Sequence, residues 1–115
     1  MSAEPWYGAK CIFRHTNLPA EGGASVYEER IVLFRASSEE DALRMAEREA
    51  KVYATDGIEY LGFVDLYHLA TDRVGDGTEL YSLMRTSPLK PRDYLNRFYD
   101  SGGEHSKETN ERPGR

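Results

Sequence analysis

The chain has 115 residues, 39% hydrophobic and 30% charged, with a formal net charge of −5. That length holds one core and leaves no room for a second. The acidic and basic residues are interspersed, with none of the basic stripe that phosphate neutralisation requires, so no nucleic-acid partner is expected. Cys11 is the only cysteine, which excludes an intramolecular disulfide and a thiolate metal cluster within one chain. The longest aliphatic or aromatic run, Ile31-Val32-Leu33-Phe34, is far short of a membrane span. Residues 1–5 carry neither the basic start nor the apolar run of a secretory leader. The expectation is a cytoplasmic protein with no membrane partner and no cofactor.

Residues 6–15 alternate. Tyr7, Ala9, Cys11 and Phe13 point one way and Gly8, Lys10, Ile12 and Arg14 the other, the pattern of a half-buried strand. Pro5 suits its start. Pro19, Gly22 and Gly23 mark a loop over residues 17–25. It is too short for a helical crossover, so it predicts an antiparallel pair. Residues 26–35 form the second strand, polar on both sides at Glu28, Glu29 and Arg30 and apolar on both sides from Ile31 to Phe34. That apolar half predicts a central, doubly covered segment.

A helix is predicted to begin at Ser37 or Ser38 and to run to Tyr53. Ser37 with Glu40 matches a capping box, and Glu39, Glu40 and Asp41 sit at the positive end of the helix dipole. Ala42, Met45, Ala46, Ala50 and Tyr53 make one apolar stripe at helical spacing. Alanines there let a helix approach a sheet closely. Asp56-Gly57 ends the element.

The third strand is predicted over residues 58–70. Leu61, Phe63, Asp65, Tyr67 and Leu69 share one face, and Tyr60, Gly62, Val64, Leu66 and His68 the other, so it too is expected to lie centrally. Asp76-Gly77 is a type I′ hairpin signal. It leads to a fourth strand over residues 80–85, with Val74 opposite Glu79 and Leu69 opposite Met84. Pro88 and Pro91 stop the sheet, and Pro91 opens a short helix over residues 92–99. Tyr94, Leu95 and Phe98 line one side of that helix, the side expected to dock on the sheet. From Ser101 onward the chain is polar apart from Pro113 and predicts a disordered tail. The domain is therefore residues 1–100 and the tail 101–115.

Once these elements are placed, the chain resembles a bacterial family known as domain of unknown function 4288. The resemblance rests on Trp6-Tyr7-Gly8-Ala9-Lys10, on Glu29-Arg30-Ile31-Val32-Leu33 leading into Ser37-Ser38-Glu39-Glu40-Asp41-Ala42, on Leu61-Gly62-Phe63-Val64-Asp65-Leu66-Tyr67, and on the run from Asp76 to Ser82. Together these span residues 6–86, and their order carries the match. The chain departs from the family pattern in a longer stretch at Thr71 to Gly75, and Pro88 onward lies outside it. The resemblance implies a small single domain from bacteria and brings no activity with it.

No catalytic constellation is complete. Cys11 and His15 share a strand face but lie roughly 13 Å apart along it, and Cys11 with His68 requires adjacent strands in a particular register. A cysteine between Ala9 and Phe13 reads first as a small core residue. His105 belongs to the tail. Asp65 interrupts an apolar strand, and a buried carboxylate needs a partner. Lys10, Arg14, Arg85 and a tyrosine hydroxyl all qualify, and the alternatives are a ligand-anchoring or acid–base role and plain solvent exposure. No second carboxylate stands at a fixed spacing to it, so a glycosidase-like pair is not supported. Eight tyrosines and Trp6 exceed what a small core requires. Their amphipathic rings either rim the core or serve a partner surface.

The expected architecture is α+β: a four-stranded, mainly antiparallel sheet in ββαββ order, the main helix on one face and a short C-terminal helix. The expected function is a non-catalytic module that binds an unknown protein partner or itself as a homo-oligomer. Its candidate residues are Trp6, Tyr7, Asp65, Tyr67 and Tyr81. The alternative is a small-ligand binder or enzyme with a pocket around Asp65, Tyr67 and Tyr81.

Overall fold

A computed structural model describes residues 4–19 and 21–99; the tail expected from residue 101, with His105, lies outside the described residues. The chain divides into two units, Met1–Ser82 and Leu83–Arg115.

In the first unit, strands β1 (Trp6–His15), β2 (Val26–Arg35) and β3 (Ile58–His68) flank helix α1 (Glu39–Tyr53), and a single 3-10 turn (Glu21–Gly23) precedes β2. Among the described residues the sheet has three strands in the order β2-β1-β3. Both neighbours run antiparallel to β1, so β2, α1 and β3 make a βαβ unit split by β1. The first two strands have the bounds their alternation predicts. The central position does not fall where hydrophobicity placed it: β1 is the middle strand, and β2 and β3 are both edges.

The odd-numbered residues of β1 build the core. Ala9, Cys11 and Phe13 are buried with Ala46 and Ala50 of α1, and Phe34, Tyr53, Ile58, Tyr60, Val64 and Leu66 close around them. Ala42, Ala46 and Ala50 stand four apart and are 0%, 1% and 0% exposed. A methyl side chain at each turn lets the helix backbone settle on the sheet, as the stripe predicted. Helix α1 starts from the second of the two expected serines. Its N-cap is Ser38, whose hydroxyl accepts from the Asp41 amide at 3.1 Å. Ser37 instead bonds the Asp41 carboxylate, so the Ser37–Glu40 box is replaced by a cap one residue on. A bidentate ion pair from Arg30 to Glu49, at 2.8 and 2.7 Å, pins α1 to β2, and the Arg30 guanidinium lies 3.8 Å above the Tyr53 ring.

The fourth strand is absent among the described residues, and the order is ββαβ followed by a short helix. The turn at Asp76-Gly77 does form: the Thr78 amide donates to the Gly75 carbonyl at 3.1 Å. Gly77 has φ of 84° while no non-glycine residue has a positive φ. Asp76 is therefore at negative φ, the sign pattern of a type II turn. A type I′ turn needs positive φ at both centres, and only the primed turns match the twist of paired strands. The chain turns back here without zipping into a hairpin. The pairings of Val74 with Glu79 and Leu69 with Met84 do not form.

Within the second unit, helix α2 (Pro91–Phe98) carries Pro91 in its first turn, as expected. Tyr94 and Phe98 pack at 4.8 Å between ring centroids. The Arg85 guanidinium lies 4.0 Å from the Phe98 ring and donates to the Tyr94 hydroxyl at 2.9 Å.

Candidate functional site

The face of the sheet away from α1 can be read row by row from the strand register. Leu33, Gly8 and Tyr67 form one row; Ile31, Lys10 and Asp65 the next. Then comes Glu29 beside Ile12, and last Tyr27, Arg14 and Glu59. On β3 the register shifts between the partners of Cys11 and Phe13, where one residue of β1, Ile12, faces three of β3, Leu61, Gly62 and Phe63. The extra residues bulge around Gly62, whose φ of 79° is costly for a residue bearing a side chain. Two extra residues preserve the alternation, so Leu61 and Phe63 stay on this outer face, 42% and 47% exposed.

The chain itself covers half of this face. Residues 78–82 run over the Gly8 row and bury Gly8, so closely that a Cβ there would collide with the Leu80 carbonyl. Two tyrosine–carboxylate hydrogen bonds pin this strap: Tyr81 donates to Asp65, and Tyr67 donates to Glu79. The Tyr67 and Tyr81 rings stand 6.3 Å apart. Beneath Tyr81 lies the Lys10 ammonium, 4.9 Å from its ring centroid and 3.1 Å from Glu29. Asp65 thus has a hydroxyl donor and a cation one strand away, which meets the requirement of a shielded carboxylate. A shallow groove of about 330 Å³ adjoins the strap, lined by Tyr67, Thr71, Asp76, Thr78 and Glu79 and not by Asp65 or Tyr81.

The structure brings Asp65, Tyr67 and Tyr81 together and separates Tyr7 from them. Tyr7 lies on the helix side, 4% exposed, packed with Ala36 and Ala42 and stacked on His68 at 4.9 Å. Trp6 shares the outer side with Arg35, whose guanidinium lies 4.7 Å over its ring. Its Nε1 is buried with no hydrogen-bond partner among the described residues. Lys10, expected from sequence as a possible partner of Asp65, completes the cluster together with Gly8, Glu29 and Glu79, which were not singled out. Gly8 did carry a signal, since a glycine inside a strand marks close backbone approach.

The cysteine and histidines are not assembled. Cys11 faces Val64 across the strands while His68 faces Tyr7, and His15 bonds Glu28 at 2.7 Å. Burial pushes the Cys11 thiol above its ordinary 9.0, with the Tyr60 hydroxyl pulling the other way. Burial, then the neighbouring Cys11 and Glu47, push the Tyr60 phenol far above its ordinary 10.0, and that phenol bonds Glu47 at 3.2 Å. A thiol held neutral and buried is a poor nucleophile.

Both groups bind their protons more tightly folded than unfolded. Their contribution to stability is therefore complete below the ordinary Cys value and is lost as pH climbs beyond it. Stability is expected to stay level from pH 7 to about 9 and to decline above that. Under native conditions a disulfide reagent is expected to label Cys11 at least about a hundredfold more slowly than in urea. Labelling at the rate of a free thiol in the folded protein would contradict this placement.

No helix among the described residues is long and apolar enough to cross a membrane. No group of three His, Cys, Asp or Glu among them is placed to hold a metal ion. The fold is an α+β domain with a three-stranded antiparallel sheet, one layer of it covered by α1. The family model described as Domain of unknown function (DUF4288) matches residues 6–82, which is more than half of the chain and ends where the first compact unit ends. The chain belongs to that family. No curated protein and no solved structure matches it.

Proposed function

We propose that this domain is a non-catalytic protein-interaction or self-association module whose recognition surface is the open half of the outer sheet face. One observation carries the reading. Beyond the strap, Tyr27, Ile31, Leu61 and Phe63 are 59%, 43%, 42% and 47% exposed on one side of one sheet. Scattered apolar residues on a surface need no explanation, but a group on one rigid face does. Arg14 and Glu59, paired at 2.7 Å, give the patch a polar rim, the anatomy of a recognition surface. The bulge at Gly62 presents Leu61 and Phe63 outward, and bulges often re-aim side chains at functional places. A bacterial cytoplasmic setting belongs to the same reading and fits the mixed surface charge and the single buried cysteine.

The test is site-specific photo-cross-linking in cells that express the protein. A benzophenone amino acid replaces Phe63 on the outer face, or Val52, which is 72% exposed on α1. Adducts heavier than the monomer are expected from position 63 and not from position 52. No adduct at 63, or equal adducts at both positions, overturns the reading.

A further inference from the structure

The two edges of the sheet differ. The β3 edge is broken by the bulge around Gly62, a common way to keep an edge from pairing. The β2 edge has none of this protection: ten consecutive residues pair with β1 without a register shift. Its first half carries Glu28, Glu29 and Arg30, which discourage pairing. Its second half is Ile31-Val32-Leu33-Phe34, and Ile31 is 43% exposed. A long, regular, apolar edge is a template for another strand.

We propose that the occupant of this edge is a second copy of the chain, its β2 lying antiparallel to the first across a two-fold axis at Val32. The proposal goes beyond the function proposed above, because it joins the copies through the β2 edge and leaves both outer faces open. A two-fold axis perpendicular to the sheet keeps like faces together, so some residue of β2 must lie opposite its own copy. With Val32 on the axis, Ile31 faces Leu33 of the copy, and Glu29 faces Arg35 at both ends. Ile31 with Leu33 and Glu29 with Arg35 are then complementary, while Arg30, neutralised by Glu49 at 2.8 and 2.7 Å, stands beside Phe34 of the copy.

Neighbouring registers lose this match. Centring on Ile31 sets Glu28 and Glu29 against Phe34 and Leu33. Centring on Arg30 sets that arginine against itself. Centring on Leu33 faces Ile31 with Arg35 and leaves Glu29 beyond the paired strand. Glu29 has room for the contact, its side chain being 61% exposed while it holds Lys10; Arg35 is exposed, and the contact requires its guanidinium to leave the Asp72 carbonyl that it bonds at 2.9 Å. The result is a continuous six-stranded sheet, with both helices on one side and both aromatic patches side by side on the other.

Sedimentation equilibrium of the full chain is expected to show an average mass rising from monomer toward dimer as concentration increases. Glu29→Arg alone and Arg35→Glu alone each set like charges opposite at both ends, and are expected to weaken the dimer about tenfold. The double variant is expected to restore it to within about threefold. Circular dichroism separates these effects from unfolding. Val32→Cys is expected to cross-link to its own copy with a short bis-maleimide. Tyr27→Cys is not, because in this register the two copies of residue 27 stand about 33 Å apart. A monomer at every concentration overturns the inference but leaves open the partner-binding form of the proposed function, which the cross-linking at position 63 tests. A dimer that neither cross-links at Val32 nor responds to the charge swap overturns this geometry and retains self-association through another surface.

Discussion

Phe13→Ala is expected to lower the free energy of unfolding by about 3–5 kcal/mol. Phe13 is the largest side chain fully buried in the described residues, 0% exposed. It lies on the central strand, where β2 and β3 both depend on its position. Tyr53 meets it edge-on at 4.9 Å and Tyr60 at 5.6 Å, so truncation removes two ring contacts as well as apolar burial. The surrounding wall collapses poorly, because Ala46 and Ala50 offer only methyl groups to fill the space, and Tyr53 is held by its bonds to Glu28 at 2.8 and 3.0 Å. Denaturant titration measures the change, with an unchanged slope showing that the unfolded state is the same. A loss of this size approaches the whole stability of a small domain, so Phe13→Leu, expected to cost about 1–1.5 kcal/mol, keeps the series measurable. A cost below about 1 kcal/mol for Phe13→Ala would mean that the core is centred elsewhere.

Gly8→Val is the second large effect, and its sign discriminates between two physical accounts. By intrinsic preference valine in place of glycine strengthens a strand. Gly8 is not at positive φ, so its backbone accepts a side chain. The obstacle is the Leu80 carbonyl, which occupies the space that a Cβ requires. The strap must lift, and the hydrogen bonds from Tyr81 to Asp65 and from Tyr67 to Glu79 are lost with it. The expected cost is about 2 kcal/mol. Amide exchange should accelerate across residues 78–82 while β1, β2 and β3 keep their protection. A stabilised Gly8→Val protein, or one in which the strap amides are unchanged, would show that residues 78–82 do not lie on this strand.

How much of this was legible in the chain depends on the range of the interaction concerned. The alternation of Tyr7, Ala9, Cys11 and Phe13 marked the core face of β1 because a strand's two-residue period is local. Ala42, Ala46 and Ala50 marked the buried side of α1 for the same reason. Strand order was not legible. The apolar run at residues 31–34 looks central, yet it borders solvent. The true central strand carries Gly8, Lys10 and Arg14 on its outer face, where Lys10 is shielded by Tyr81 and neutralised by Glu29. Which strand lies in the middle is decided by pairings between distant segments that no local period encodes. Asp76-Gly77 located a turn correctly, but Asp76 kept a negative φ, and the strand expected beyond the turn became a strap. Asp65 was conspicuous as a carboxylate in an apolar strand. Its partner Tyr81 was among the residues singled out, while Gly8, whose missing side chain lets the strap approach, was passed over as an ordinary strand residue.

We propose that the part of the outer sheet face around Tyr27, Ile31 and Phe63, open among the described residues, is occupied by another molecule. Hydroxyl-radical footprinting tests it most directly, comparing dilute purified protein with the same protein in extract of the cells that express it. In dilute solution Tyr27, Ile31 and Phe63 are expected to oxidise readily while Phe13 and Tyr7 stay protected. In extract the first three are expected to become protected as well. Protection of those three already in the dilute monomer, or undiminished oxidation in extract, would contradict the account.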